Sequence, residues 1–236
     1  MAPLDPDHRR VRAALPRLRA GHAGPRGIRH PARAPHAGTH RRHHWRRPRR
    51  GAAPGERCAL VGFSFGALLA GHVAAQHPAL VASLTLVGPG ALGLPRGDVT
   101  MVPVLDKTGA EREQAHRTNL TRLMLASPEA VDAQALAIQE INTGLARIRS
   151  VRFSAPRRCG DALAHVTAPL SVIWGERDVI AAPDLAGRIA VVRGLHPDAD
   201  IAIIPGAGHW APYEAADAFN ALLSAILLRT WPSGRV

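Results

Sequence analysis

Eight residues constrain this chain more than any others: Leu60-Val61-Gly62-Phe63-Ser64-Phe65-Gly66-Ala67. Apolar residues precede them from Cys58, and a run of small residues follows from Ala67 to Ala75. The pattern predicts a buried strand over 58–63 that turns sharply into a helix over 65–76, with Ser64 at the turn. Such a turn strains the serine backbone and points the hydroxyl out of the sheet. Gly62 and Gly66 are expected to let strand and helix approach closely. The Phe65 N–H, at the helix start, then faces the place where an oxyanion would develop. A structural Gly-Ser turn is the plain alternative. The strand before and the helix after favour a nucleophile at Ser64.

Val81–Val87 reads as a second strand, stopped by Gly88-Pro89-Gly90. Strand, helix and strand with such short links make a βαβ unit and imply a parallel sheet. Residues 91–109 read as loop. Two stretches at helical spacing follow, 111–126 and 128–148, the second with Ser127 as cap and Pro128 at its first position. No strand pattern interrupts 110–165, so residues 96–165 are expected to form a helical lid inserted between strands. The sheet resumes at 169–174, a helix covers 183–194, a strand covers 200–204, and an amphipathic helix closes the domain over 214–228. Asp178 and His209 therefore fall on loops after strands, where ligands bind in open α/β sheets.

Ser64, Asp178 and His209 occur in the order nucleophile, acid, base. A serine hydroxyl is a poor nucleophile until a base takes its proton. His209 is the expected base, and Asp178 the acid that fixes its tautomer and stabilises its charged form. Glu176 is the fallback acid. Asp184 reads as a helix N-terminal charge. No cluster of His, Cys or carboxylates has metal-ligand spacing, and no metal or organic cofactor is expected.

Three segments carry a resemblance to the α/β-hydrolase superfamily: Leu60–Gly66, Ile173-Trp174-Gly175-Glu176-Arg177-Asp178, and Gly206-Ala207-Gly208-His209-Trp210. It covers roughly residues 56–230. It implies a mostly parallel sheet with a helical lid, and hydrolysis through an acyl-serine. A serine at the elbow sets the chain apart from the haloalkane dehalogenase and epoxide hydrolase branches, which use aspartate there. The run Gly208-His209-Trp210-Ala211-Pro212-Tyr213-Glu214, with Phe219-Asn220, resembles the meta-cleavage-product hydrolases, which split a carbon–carbon bond in vinylogous diketo acids. Their tryptophan after the catalytic histidine matches Trp210. Where they often carry asparagine before the serine, this chain has Phe63. The resemblance thus marks Phe63 and Trp210 as substrate-binding. In the lid, Arg117, Asn119, Gln139, Asn142, Arg147 and Arg149 include a candidate ligand for a substrate carboxylate. Solvated helix-face charge is the plainer reading for each.

The N-terminal stretch is different. Residues 1–50 hold 14 arginines against two aspartates, whereas the rest of the chain is balanced between basic and acidic residues. Prolines recur, large apolar residues are few, and Arg41–Arg50 is a dense basic run around Trp45. Such a composition cannot offset the entropy of ordering. The superfamily places several strands before the nucleophile strand, one followed by a loop that supplies a second oxyanion N–H. Residues 1–55 contain no strand pattern, and His22–Gly27 match no such loop. Residues 1–55 are therefore expected to be disordered or read out of frame, and 56–236 to form the hydrolase domain with an unpaired edge at its nucleophile strand.

Cys58 and Cys159 make no disulfide framework, and Cys58 is expected as a small core residue. No apolar run approaches membrane-spanning length, and no signal-peptide core is present; a cytoplasmic location is the default. The expected function is serine-dependent hydrolysis of a small-molecule carboxylic ester or an activated C–C bond. The alternatives are a catalytically impaired remnant and a nucleic-acid-associated protein acting through the basic arm. Binding to nucleic acid or membrane is not expected of the domain itself, and the oligomeric state is left open.

Overall fold

The computed structural model describes residues 57–146 and 155–230. The expectations for residues 1–55, and those for Arg147 and Arg149, lie outside these residues.

Four parallel strands form one sheet in the order β1 (Cys58–Phe63), β2 (Val81–Val87), β3 (Leu170–Gly175) and β4 (Asp200–Ile204). Helix α1 (Phe65–Gln76) joins β1 to β2, and α5 (Leu185–Leu195) joins β3 to β4. The α/β architecture read from the sequence is the one observed.

β2 and β3 are buried along nearly their whole length, as expected of central parallel strands covered on both faces. Alternate residues serve opposite layers. Leu84, Leu86, Val172 and Trp174 pack with Ala67, Leu68, Ala70 and Ala74 of α1 and with Val192 of α5. Val87 and Ile173 pack with Ile204 on the other face, against Phe219 and Ile226 of the closing helix α7 (Ala216–Thr230). Each fully buried side chain of this size contributes roughly 1.5–3 kcal/mol, so these two layers fix where the strand ends lie.

β1 is less buried than expected. Cys58 is exposed and Val61 is 40 % exposed. Among the described residues β1 pairs only with β2, so it is an edge strand, and Cys58 at its start is not a core residue. Leu69 and Val73 of α1 are exposed beside it.

Between β2 and β3 the described residues form helices and loops but no strand, and the helices are cut differently from those expected. Helix α2 (Gly109–Asn119) runs into a π-helical turn, Leu120–Met124, closed by Leu125 N–H donating to Leu120 O. The Thr118 and Thr121 hydroxyls donate to the carbonyls of Gln114 and Arg117, a bonding pattern that bends helices. The second predicted helix does not start at Ser127. Pro128–Ala130 makes one 3₁₀ turn, Val131 leaves helical geometry, and α3 (Ala133–Leu145) starts afresh. Asp132 is its cap, accepting from Ala135 N–H at 2.8 Å. Ser127 is extended too, but its side chain caps nothing: its hydroxyl donates to Glu129, and the 3₁₀ turn after it ends at Val131.

A short helix, α4 (Arg158–Leu163), was not anticipated. Its Cys159 and Leu163 are fully buried in the same core layer as α1. The closing helix is preceded by a separate turn, α6 (Ala211–Glu214), which has proline in its first turn. Among the described residues no helix is long and apolar enough to cross a membrane.

Candidate active site

In a parallel sheet the strand C-termini share one edge. Ser64 follows β1, Asp178 follows β3 and His209 follows β4, so all three reach that edge. Their backbones are tied in by extensions of the ladder. Ser64 N–H donates to Val87 O at 2.8 Å, Glu176 N–H to Ile204 O at 3.0 Å, and Arg177 N–H to Ala207 O at 2.8 Å.

Ser64 sits at φ 52, ψ −115, a conformation that L-residues rarely adopt. Such strain costs on the order of 1–3 kcal/mol and persists only where the surroundings over-determine it. Here the strand ladder fixes one side and α1 the other. Gly62 is required for that crossing: a Cβ on it would lie 2.4 Å from Gly66 O. Gly66 is not required in the same way. Among the described residues nothing lies within 4 Å of a Cβ built there.

The structure brings the three predicted residues together. Ser64 Oγ and His209 Nε2 are 2.8 Å apart, and His209 Nδ1 and Asp178 Oδ2 are 2.9 Å apart. With the proton on Nδ1, His209 donates to the carboxylate and accepts from the serine hydroxyl. Asp178 is 1 % and His209 4 % exposed, so the bond between them is buried, while Ser64 is half-buried and faces the cavity. The other oxygen of Asp178 accepts from the N–H groups of Ile180 (2.8 Å) and Ala181 (3.3 Å). The carboxylate is thus held from both sides.

Glu176 is elsewhere. It is exposed and accepts from Gly206 N–H at 2.8 Å. Asp184 caps α5, accepting from Gly187 N–H at 2.7 Å, the helix-terminal place expected of it.

A cavity of about 590 Å³ opens over Ser64 and His209. Its wall is mainly apolar, with Leu68, Met101, Met124 and Ile180 among its residues, and Phe65 at the start of α1 lines it beside the serine. The π-turn brings Leu123 and Met124 to it. Two cations line it, Arg96 and Arg188. Of the lid residues singled out in the sequence, none that is described lines it. Arg117 bonds Val131 O and Glu113, Asn119 pairs with the backbone of Val102, and Asn142 is exposed.

Phe63 and Trp210 are not among the lining residues either. Phe63 packs on the imidazole of His209, with ring centroids 5.2 Å apart. The Trp210 side chain stacks on Tyr213 at 4.5 Å, and the Trp210 backbone N–H donates to Met124 O at 2.7 Å. Both flank the histidine from outside the cavity.

Three further residues were not assigned a site role from the sequence. Gly88, read there as a strand stop, has φ +55 and lies under the His209–Asp178 pair. Glu214 accepts from Gly208 N–H (2.6 Å), Ala126 N–H (3.1 Å) and Ser127 N–H (2.6 Å), stapling the histidine loop to the helical insertion. Its signal was its place five residues after His209. Arg188 carried no signal, because an arginine in a helix reads as surface charge. Cys159 is a buried thiol away from this site, and burial pushes it up to about 12, away from the thiolate form.

The sequence model of the alpha/beta hydrolase family matches residues 1–222, a span that includes the stretch 1–55 left outside the resemblance above. A 2-hydroxy-6-oxononadienedioate/2-hydroxy-6-oxononatrienedioate hydrolase of a Pseudomonas species is 26 % identical over 187 residues, covering 74 % of this chain and 64 % of the relative. A 2-hydroxy-6-oxo-6-phenylhexa-2,4-dienoate hydrolase of Comamonas testosteroni is 29 % identical over 178 residues, covering 71 % and 61 %. The chain thus spans a little under two thirds of the length of these relatives. Among solved structures, a meta-cleavage product hydrolase from Pseudomonas fluorescens aligns with TM-score 0.54 and 19 % identity, over 74 % of this chain and 66 % of that one. A serine hydrolase from Cycloclasticus zankles aligns with TM-score 0.55 and 18 % identity, over 75 % and 66 %. The parallel sheet, the strand-to-helix turn at Ser64 and the span of the family match lead to one assignment: the chain belongs to the alpha/beta hydrolase family.

Proposed function

We propose that this chain hydrolyses a small carboxylic ester, or an activated C–C bond next to a carbonyl, through an acyl-enzyme on Ser64. The observation that carries this reading is the continuous line Ser64 Oγ–His209 Nε2–His209 Nδ1–Asp178 Oδ2, with contacts of 2.8 and 2.9 Å, ending in a strained serine under a cavity.

Ser64 Oγ attacks the substrate carbonyl carbon while its proton passes to His209 Nε2. Asp178 holds the imidazole in the Nδ1–H form and offsets its positive charge. The carbonyl oxygen becomes an oxyanion, stabilised by the Phe65 N–H at the start of α1. Collapse breaks the bond to the leaving group, which takes the proton from His209. Water, deprotonated by His209, then attacks the acyl carbon and releases the acid and free Ser64. The helical segment between β2 and β3 serves as the lid, since its π-turn supplies part of the cavity wall.

Esters rank ahead of C–C substrates because Phe63, packed on His209, supplies no amide where the meta-cleavage-product hydrolases often have one. The curated relatives, named for dienoate and dienedioate substrates, and the cationic Arg96 at the cavity favour the second substrate class. The test is hydrolysis of p-nitrophenyl acetate and of a 2-hydroxy-6-oxo-dienoate by the full chain and by Ser64→Ala. Serine loss should remove all but about a thousandth of the rate, since the three residues act as one unit. Retention of more than about a tenth places the nucleophile elsewhere.

A further inference from the structure

Arg188, on α5, is 1 % exposed. Its Nε donates to Ala181 O at 2.9 Å, and its Nη2 donates to Ile180 O at 2.9 Å and Pro95 O at 2.6 Å. Its Nη1 is buried without a hydrogen-bond partner among the described residues. Burying a guanidinium against neutral carbonyls is costly unless a counter-charge is near. Burial lowers its pKa from the ordinary value, and the charges of Asp178 and Asp184 oppose that.

The link to Asp178 runs through one peptide unit. Ile180 C=O and Ala181 N–H belong to the same rigid plane. The oxygen of that plane accepts from Arg188, and its N–H is shared between two acceptors on the acid itself, Asp178 O at 3.0 Å and Asp178 Oδ1 at 3.3 Å. A cation at one end and an anion at the other polarise the peptide and strengthen both bonds. The bond to Pro95 O extends the same guanidinium to the cavity wall. Just past the wall residue Arg96 the chain lies against the acid loop: a Cβ on Gly97 would lie 2.2 Å from Val179 O.

We propose that Arg188 is a positioning residue that holds the acid loop, and through it the Asp178 carboxylate, in register with His209 and with the cavity wall. The proposal rests on the reading of Ser64, His209 and Asp178 as one catalytic set. Asp178 and Asp184 face the guanidinium, Arg96 lines the same cavity, and Glu214 holds the histidine loop from its far side. Lysine keeps the charge of Arg188 but cannot serve three fixed carbonyls with a planar fork.

The test compares the full chain with Arg188→Lys, Asp178→Asn and the double variant, all on p-nitrophenyl acetate, with folding read by near-ultraviolet circular dichroism. Arg188→Lys should lower kcat roughly ten- to hundredfold, the scale of a small misplacement of a catalytic group. In the Asp178→Asn background the same change should alter kcat by less than about twofold, because the group it positions is already lost. Parental kcat in Arg188→Lys, multiplying effects in the double variant, or a lysine variant that no longer folds each overturns the proposal. If the parent chain shows no serine-dependent turnover, the hydrolase reading itself has failed. The Arg188 proposal is then decided by the crystal structure of Arg188→Lys: a lengthened His209 Nδ1–Asp178 Oδ2 contact supports it, and a contact unchanged from 2.9 Å refutes it.

Discussion

Gly88 and His209 meet at the end of β2: a Cβ built on Gly88 would lie 3.1 Å from His209 Cε1 and 3.3 Å from Asp178 Oδ2. The glycine also has φ +55, a conformation that costs a residue with a Cβ about 1–2 kcal/mol. Gly88→Ala should therefore destabilise the fold modestly, by about that amount. Its effect on turnover should be larger, because the methyl group pushes on the pair that must stay within hydrogen-bonding distance. Denaturant unfolding and ester turnover on the same sample separate the two. A variant that keeps more than half of the parental kcat would show that the imidazole has room to spare.

The acid is tested by contrast. Asp178→Asn preserves shape but favours the wrong imidazole tautomer, and should cost about 10³–10⁴ in kcat. Glu176→Gln touches an exposed carboxylate bonded to Gly206 N–H and should leave kcat within about twofold. The reverse ranking would move the acid role to Glu176.

Glu214 should matter for both fold and rate. Its carboxylate satisfies three backbone N–H groups, one of them on Gly208 beside His209 and two at the end of the helical insertion. Glu214→Ala leaves those donors without their acceptor and should cost at least about 2 kcal/mol of stability. Because the histidine loop is released too, kcat should fall with it. Stability lost with parental kcat would make the staple structural only.

The main strands and the order of the site residues were legible because period and punctuation carry them. Val81–Val87 is an apolar run closed by Gly88-Pro89-Gly90, and the observed strand has those bounds. Ser64, Asp178 and His209 each stand just past such a run, so a parallel sheet alone brings them to one edge. What was not legible depends on contacts across the chain. The cap of α3 moves from Ser127 to Asp132 because a carboxylate in extended backbone reaches Ala135 N–H. Cys58 is exposed because β1 is an edge strand among the described residues; the lack of a strand pattern upstream pointed to that edge, whereas the apolar run 58–61 by itself reads as core. Arg188 and Glu214 act on backbone groups 93 and 88 positions away, and no local pattern encodes that.

Tyr213 offers a direct optical test of the packing beside His209, because it is the single tyrosine in the chain. Its hydroxyl donates to Asp132 Oδ1 at 2.6 Å, joining the turn after the histidine loop to the start of α3. Burial, and then Asp132, push its pKa up to about 12. The Asp132 carboxyl is in turn held below its ordinary value, first by Tyr213 and then by Ala135 N–H. The signs follow. The tyrosine's contribution to stability is complete below its unfolded value of about 10 and is lost as pH rises through about 12. The aspartate's contribution is complete above the ordinary carboxylate value of about 4 and is lost as pH falls through its lowered one. Absorbance at 295 nm after a rapid pH jump, read before unfolding, should give a midpoint near 12 in the native chain and near 10 in urea. Asp132→Asn should lower the native midpoint. A native midpoint near 10 would mean that the Tyr213–Asp132 bond does not form in solution, leaving the hydrogen bonds of Glu214 and Trp210 and the packing on Leu120 and Leu125 to join the helical insertion to the histidine loop.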